Sequence, residues 1–235
     1  MAVVRPEDLA RSLVGNLGGR FSSEMGIDVD RGAREVERWF LAATLFGTRI
    51  SWRIVERTHA VLVAAGVLTI LDAGTKTWHE LVALLDEGGY ARYDFRTATR
   101  LLTLSKAVGE RHGGRISSLA AEDGPEVLEA ELDALPGWGP VTVRLFLREL
   151  RGVWPGARPP LDERAQSAAR HLGLSLSARD PVRSLTELAR RATVDVRDLE
   201  AGLVRVCLAH ELSRCPGGAA CRALAPTPSP GGGVG

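Results

Sequence analysis

Apolar side chains recur three and four positions apart along most of the chain, and this spacing constrains the fold more than any other feature. Val36, Trp39, Phe40 and Ala43 form one such set. Residues at these intervals share one face of an α-helix. No segment keeps the alternation of polar and apolar residues that a β-strand requires over more than a few positions. The sequence therefore predicts an all-α fold of roughly ten or more short helices.

Residues typical of helix ends support this interpretation. Ser184-Leu185-Thr186-Glu187 has the form of a capping box, which predicts a helix start at Ser184. Glycines such as Gly66 and Gly173 stand where helices are expected to end, because glycine readily adopts the left-handed conformation found there. Short helices joined by tight turns favour a compact bundle over a coiled coil.

The charge of the chain gives no general sign of a nucleic-acid binder. Lys and Arg number 30 and Asp and Glu 29, so the net charge is +1. Any nucleic-acid binding must then come from a local surface. The first residues include two acids, which we expect to exclude a secretory leader, and no run approaches the roughly 20 apolar residues of a membrane span. We therefore expect a cytoplasmic protein that does not act at a membrane.

A Gly-x-Gly turn lies between two helical patterns, residues 126–134 and 141–150. The turn and the start of the second pattern read Leu135-Pro136-Gly137-Trp138-Gly139-Pro140-Val141-Thr142. Such a turn leaves backbone N–H groups unpaired at the positive end of a helix dipole, an arrangement that holds a phosphate. Glycine lets the phosphate approach the backbone. By itself the pattern is equally typical of a tight turn between two packed helices.

The residues that follow make the turn more specific. A loop rich in Gly and Pro, residues 152–160, leads to Leu161-Asp162-Glu163-Arg164-Ala165. Hairpin, loop and aspartate in this order resemble the helix-hairpin-helix (HhH-GPD) DNA glycosylases of the endonuclease III superfamily. These enzymes remove damaged or mismatched bases in base excision repair. The resemblance extends over residues 34–221, and its most specific part is 132–172.

The resemblance implies two helical domains with a cleft for DNA between them. A six-helix barrel domain, residues 34–152, would contain the helix-hairpin-helix at 126–151. The second domain would combine residues 1–33 and 153–221 and would carry the aspartate. Residues 226–235 contain no group that can pack into a core, so we expect a flexible tail over 222–235.

Asp162 is the residue to which the resemblance assigns catalysis. Breaking an N-glycosidic bond builds positive charge on the deoxyribose. A carboxylate beside the sugar stabilises that charge and can orient or deprotonate the attacking water. Asp162 also precedes a helical pattern, so capping the helix N-terminus is the alternative role. The hairpin upstream favours catalysis.

Val141 distinguishes two mechanisms. Family members that also cut the DNA strand carry a lysine two residues after the second glycine, and its amine attacks C1′. Valine has no nucleophile, so the resemblance implies a monofunctional glycosylase that uses water and leaves an abasic site. A bifunctional glycosylase and lyase is the alternative. The excised base stays open between an alkylated purine and a mispaired or deaminated pyrimidine.

DNA contacts are implied by the resemblance for the hairpin and for two places in the barrel domain. The enzyme must rotate the target nucleotide out of the duplex and fill the gap. Arg49 and the loop with Tyr90, Tyr93 and Arg96 are where such residues would lie, although a loop tyrosine is more often a packing residue. The hairpin residues assigned to DNA are Leu135, Pro136, Gly137, Trp138, Gly139, Val141 and Thr142.

Three cysteines fall close together near the end of the chain. Family members often bind a [4Fe–4S] cluster there through four cysteines. Five residues separate Cys215 from Cys221, as they separate the last two cysteines of the family's cluster. Cys207 lies upstream, but Leu212 occupies the position of the second cysteine ligand. Three interpretations stay open: no metal, a cluster completed by His210, or zinc held by Cys207, His210, Cys215 and Cys221. The helical apolar pattern around Cys207 favours the first.

The expected partner is double-stranded DNA that contains a damaged or mismatched base, bound by a monomer associated with the nucleoid. Two other classes of function stay open. One is a non-enzymatic DNA-binding module that uses the same hairpin. The other is a helical scaffold for a protein partner, which the nearly neutral net charge suggests. Binding to duplex DNA that weakens with salt would exclude the scaffold, because phosphate neutralisation releases counterions.

Overall fold

The computed structural model describes residues 4–46, 50–122, 124–209 and 211–224. The prediction of an all-α fold is confirmed, because these residues form twelve α-helices and no β-strand. Short 3₁₀ turns connect several of the helices. Within the described ranges no helix combines the length and the apolar character needed to cross a membrane.

The α-helices are numbered in chain order. The first six are α1 (Pro6–Leu17), α2 (Phe21–Glu24), α3 (Ala33–Leu45), α4 (Trp52–Ala64), α5 (Ile70–Gly74) and α6 (Trp78–Gly88). The second six are α7 (Asp94–His112), α8 (Pro125–Asp133), α9 (Pro140–Glu149), α10 (Glu163–His171), α11 (Pro181–Ala192) and α12 (Val196–Ala209).

The chain divides into two compact units. The middle unit is Met25–Pro159, and the terminal unit joins Met1–Glu24 to Pro160–Gly235. The expected domain limits, 34 and 152, lie inside the middle unit because the segments that flank them pack on its helices. Val29, in a 3₁₀ turn beside α3, is fully buried. A Cβ at Gly156, in the loop after α9, would lie 2.3 Å from the carbonyl oxygen of Glu122.

Helix α3 lies in the core of the middle unit. Its residues are buried from Trp39 to Leu45. A helix that is buried around most of its circumference must be enclosed by other elements, and α4, α5 and α9 all contact it. The ring of Phe40 stacks on Trp138 with 4.4 Å between centroids, and the ring of Phe146 meets that of Phe40 edge-on at 5.7 Å. These aromatic contacts fix the α8–α9 turn to α3.

Helices α1, α10, α11 and α12 build the core of the terminal unit. Helix α12 packs against the other three. A Cβ at Gly202 of α12 would lie 2.2 Å from Cδ2 of Leu13 in α1. The side chains of Ala165, Ala168 and Ala169 on α10 are buried in the same core. Small side chains therefore let these helices approach closely.

Capping residues define several helix starts. Sequences of the form Thr-x-x-acid, beginning at Thr69 and Thr77, form complete capping boxes at α5 and α6. The helix start expected at Ser184 is wrong, because α11 already begins at Pro181. Asp180 caps that helix by accepting a hydrogen bond from the Arg183 amide at 3.0 Å.

The packed chain extends beyond residue 221. Arg222–Leu224 form a 3₁₀ turn, and Nδ2 of Asn16 donates a hydrogen bond to the carbonyl of Leu224 at 2.8 Å. The first three residues of the expected tail are therefore packed on the terminal unit. Residues 225–235 lie outside the described residues.

Candidate functional site

Gly137 lies in the turn between α8 and α9 and has a φ of +78°. This left-handed conformation is rare for residues with a side chain. A Cβ at Gly137 would also lie 2.2 Å from Cδ of Arg100. Arg100 cannot easily move, because its Nη2 donates a hydrogen bond to the carbonyl of Thr44 at 2.8 Å. The fold itself therefore requires glycine at position 137.

Gly139 has none of these constraints. Its φ of −156° is extended backbone that any residue adopts. A Cβ added at Gly139 would meet no atom of the described chain within 4 Å. The fold therefore does not require glycine here, and there is open space beside the backbone for a group from outside the chain.

Helix α9 begins at this point without a side-chain cap. Gly139 is the N-cap residue, and Pro140, the first helical residue, has no N–H. Among the residues that the structure describes, no backbone carbonyl accepts the amides of Gly139, Val141 and Thr142. Unpaired N–H groups at a helix N-terminus carry a partial positive charge. The start of α9 can therefore accept an anion.

Leu135, Trp138 and Thr142 fix the hairpin in the middle unit. All three side chains are buried. Besides its stacking on Phe40, Trp138 donates a hydrogen bond from Nε1 to Oγ1 of Thr44 at 3.2 Å. Packing is thus the role that the structure gives to these side chains. At these three positions only backbone atoms could contact DNA.

Val141 is the most exposed large apolar residue of the described chain, with 76% of its surface accessible. Val143, two residues further along α9, is buried. Val141 therefore contributes to the surface at the start of α9 and not to the core. Gly137 is also exposed, and Pro136 is partly exposed. Together with the exposed Pro140 and the partly exposed Gly139, these residues form the accessible part of the hairpin.

Asp162 caps α10. Its Oδ1 accepts a hydrogen bond from the Arg164 amide at 2.8 Å, and its own amide donates to Oε1 of the buried Glu200 at 3.3 Å. The side chain of Asp162 is partly exposed. No hydrogen bond to Oδ2 occurs among the described residues. Capping therefore occupies one carboxylate oxygen and leaves the second available.

The DNA-facing residues expected in the barrel domain differ in exposure. Tyr90 is fully buried, and its hydroxyl donates a hydrogen bond to the carbonyl of Leu45. It therefore supports the loop from inside, contrary to the expectation that it faces DNA. Tyr93 is partly exposed beside Arg92, whose guanidinium carbon lies 5.8 Å from the ring centroid. Arg96 is exposed, and Arg49 lies outside the described residues.

Phe95 is an exposed aromatic residue that sequence reasoning missed. With 61% of its surface accessible, it lies beside Arg96 on the first turn of α7. Its ring centroid is 5.3 Å from that of Trp78, whose Nε1 donates to Oγ1 of Thr99 at 3.0 Å. The available signal was a phenylalanine between two charged residues, Asp94 and Arg96, at a helix start. Exposed aromatic and basic side chains together suit stacking on bases and pairing with phosphates.

Three side chains of the terminal unit form a group that could hold a metal ion. One ligand atom from each of His171, Cys215 and Cys221 lies within 4.8 Å of the others. Two of the expected ligands are thus brought together with a histidine that the sequence did not indicate. Cys207 is not in the group, because its Sγ donates a hydrogen bond to the carbonyl of Arg164 at 3.1 Å. His210 lies outside the described residues.

Burial raises the pKa of two thiols in this unit. For Cys207, burial is the largest cause, and the nearby carboxylate of Asp162 acts in the same direction. For Cys221, burial also raises the pKa most, and the neighbouring Cys215 raises it further. Both thiols are therefore held protonated at neutral pH unless a cation binds them.

The chain matches no protein-family model and shows no significant match to a curated protein. The local geometry of the hairpin and of Asp162 is therefore the basis for assigning a function.

Proposed function

We propose that this protein is a DNA glycosylase of base excision repair, which hydrolyses the N-glycosidic bond of a damaged or mismatched base in duplex DNA. The observation that carries the proposal is the start of α9. There an uncapped helix, unpaired amides and a glycine that the fold does not require occur together. Close approach of a phosphate to the backbone accounts for all three features.

The hairpin would hold the DNA backbone through its amides. Phosphate oxygens accept hydrogen bonds from N–H groups at a helix N-terminus, where the dipole adds a favourable charge interaction. Such contacts fix the position of the protein on the duplex without reading sequence. This is the behaviour that a repair enzyme needs, because a lesion occurs in any sequence. Val141 stands exposed beside these amides, and its side chain would pack against the sugar and phosphate chain.

Asp162 would stabilise the transition state of base removal. As the base leaves, positive charge develops on the deoxyribose. The hydrogen bond from the Arg164 amide to Oδ1 fixes the orientation of the carboxylate, and Oδ2 accepts no such bond within the described chain. Oδ2 is then the oxygen that faces the sugar or orients the attacking water. Water adds its hydroxyl to C1′, and the base departs with the bonding electrons and takes up a proton.

Because position 141 is a valine, the proposed reaction uses water as the nucleophile. A strand-cleaving relative requires an amine at this position of the hairpin to attack C1′. The exposed isopropyl group of Val141 offers no electron pair. The product is therefore an intact strand with an abasic site.

The start of α7 would supply a further contact with DNA in the proposed enzyme. Arg96 is exposed and would pair with a phosphate, and the exposed ring of Phe95 would stack on a base. A flat apolar ring is also suited to filling the gap left by a displaced nucleotide. Tyr93 is partly exposed in the preceding turn and contributes to the same surface.

A panel of duplexes tests the proposal, each carrying one alkylated, deaminated or mismatched base. After incubation with the protein, each reaction is divided, and one half is heated with alkali to cleave abasic sites. We expect cleavage at one class of lesion in the alkali-treated half only. Cleavage in the untreated half would refute hydrolysis without a lyase step. If no duplex is cleaved but the protein binds DNA in a salt-dependent way, the glycosylase proposal fails and a DNA-binding module without catalysis is supported.

A DNA-binding module without catalysis is the second candidate. The observation that favours it is the cap: the hydrogen bond from Arg164 gives the carboxylate of Asp162 a structural role without any reaction. The Asp162→Asn variant separates the two functions. In a glycosylase it slows base release strongly and spares DNA binding, whereas a pure binding module has no base release to lose.

The proposed reaction does not involve the group at His171. Asp162 precedes the first residue of α10 and His171 is its last. With a rise of about 1.5 Å per residue, the two are roughly 13 Å apart along the helix. A metal ion bound at His171 would therefore have a structural role, whether it is zinc or a [4Fe–4S] cluster.

A further inference from the structure

His171, Cys215 and Cys221 converge although they are distant in sequence. Their ligand atoms lie within 4.8 Å of one another. His171 ends α10, whereas both cysteines belong to the segment 211–224, which contains short 3₁₀ turns and no α-helix. Cys221 is buried, and the other two are partly buried. The three side chains thus connect an irregular segment to a helix.

The backbone around this group favours sulfur ligands. The amide of Arg222 donates a hydrogen bond to Sγ of Cys215 at 3.4 Å. Hydrogen bonds of this kind stabilise the thiolate form that binds metal ions. Gly217 has a φ of +73°, and a Cβ there would lie 2.5 Å from the carbonyl oxygen of His171. The segment therefore passes so close to the end of α10 that only glycine fits.

We propose that His171, Cys215 and Cys221 bind a structural zinc ion. Two thiolates and an imidazole form a ligand set that zinc prefers. In a tetrahedral site with Zn–S distances of about 2.3 Å, ligand atoms are separated by about 3.8 Å. The ligand atoms of this group lie within 4.8 Å of one another, so they reach that spacing with shifts of about 1 Å. Binding displaces one proton from each thiol, and solvent takes up both protons.

The residues do not fit a [4Fe–4S] cluster. Such a cluster is held by four cysteine thiolates, and the described chain brings only two together. Cys207 donates its hydrogen bond to the carbonyl of Arg164 and stands outside the group. A single zinc ion needs four ligands, of which this group supplies three. The resemblance implies an iron–sulfur cluster held by four cysteines. The group found here instead combines two cysteines with a histidine, which suits zinc.

The ion would hold the C-terminal segment in place. Short 3₁₀ turns contribute little stability of their own, and zinc binding supplies folding free energy directly in small metal sites. Only the segment 211–224 and the end of α10 are joined by the three ligands. Removal of the metal is therefore expected to loosen that segment first.

The zinc content of the purified chain tests this proposal. By mass spectrometry of the metals we expect one zinc ion per chain in the wild type. The His171→Ala and Cys215→Ser variants are expected to lose it. Cys207→Ser is the matched control, because Cys207 lies in the same unit but outside the group, and this variant should keep its zinc. Loss of zinc from Cys207→Ser to the same extent would overturn the proposed ligand set.

A cobalt titration of the zinc-free wild-type chain tests the site without any substitution, so it does not depend on a variant that folds. We expect thiolate-to-cobalt charge-transfer absorption in the near ultraviolet and visible bands typical of tetrahedral cobalt. His171→Cys keeps a ligand and should strengthen the charge-transfer band. Absence of these bands in the wild type, or iron and sulfide in a brown protein, would overturn the proposal.

Discussion

The starts of α9 and α10 differ in how they satisfy a helix N-terminus. At α10 the carboxylate of Asp162 caps the helix and supplies a negative charge from the chain itself. At α9 the N-cap residue is Gly139, which has no side chain, and no backbone carbonyl among the described residues accepts the amides of Val141 and Thr142. A helix that caps itself needs no ligand, whereas one left open is suited to an external anion.

In the proposed enzyme the two helix starts have separate roles. The open N-terminus of α9 would bind a phosphate, and the charged N-terminus of α10 would stabilise a cation. Both roles depend on the charge at a helix start. The positive start of α9 would attract an anion, and the carboxylate at the start of α10 would attract a cation.

Asp162→Asn is expected to have the largest effect. Asparagine is as good an N-cap as aspartate, so the helix start should remain and only the negative charge is lost. We expect base release to fall by roughly 10²–10³-fold, the range seen when one group that stabilises a transition state is removed. Single-turnover rates on the lesion found with the duplex panel measure this. An unchanged rate would show that the carboxylate is only a cap.

Gly137→Ala should destabilise the middle unit. A side chain in the left-handed conformation costs about 1–3 kcal/mol, and the added methyl group would also displace Arg100 from Thr44. Urea unfolding measures the free energy of unfolding. A variant as stable as the wild type would mean that the turn adapts and that glycine is not required there.

Asp162→Ala tests the cap itself. It removes the hydrogen bond from the Arg164 amide, so the free energy of unfolding should fall by about 1 kcal/mol relative to Asp162→Asn. Comparing these two variants separates charge from capping, because both lack the carboxylate. Equal stability of the two would contradict the capping role.

Val141→Ser should change the free energy of unfolding by less than about 0.5 kcal/mol, because Val141 is exposed. The matched substitution Val143→Ser, at a buried position of the same helix, should cost several times more. Thermal unfolding of the two variants is sufficient to compare them. A large loss of stability in Val141→Ser would show that the start of α9 is covered by another part of the chain.

Local patterns in the sequence predicted much of the fold. Helical spacing indicated the all-α class, and Gly66 and Gly173 do adopt the positive φ expected at helix ends. The helix start at Ser184 was wrong because a capping pattern in the sequence does not show where the preceding backbone becomes helical. Asp180 and Pro181 provide an equally good start upstream.

The site was less predictable because exposure and long-range proximity are properties of the folded chain. Tyr90 and Tyr93 are only three residues apart, yet the first is fully buried and the second is partly exposed. The sequence contains no signal that brings His171 to the cysteines, since α11 and α12 lie between them. Positions 137 and 139 are both glycine in the sequence. Only their backbone φ angles and the atoms that surround them in the folded chain distinguish their roles.

The most direct test of the account compares duplex DNA binding by the wild type and Gly139→Ala across a range of salt concentrations. With a phosphate site at the start of α9, the affinity of the wild type for duplex DNA should fall steeply as the salt concentration rises. At fixed salt the added methyl group should weaken binding by roughly tenfold or more, the effect of one lost charge-assisted hydrogen bond. The free energy of unfolding should change by less than about 1 kcal/mol, because the weaker alanine N-cap and the restricted unfolded chain act in opposite directions. Equal affinity of the two proteins, or binding by the wild type that salt does not affect, would contradict a phosphate site at the start of α9.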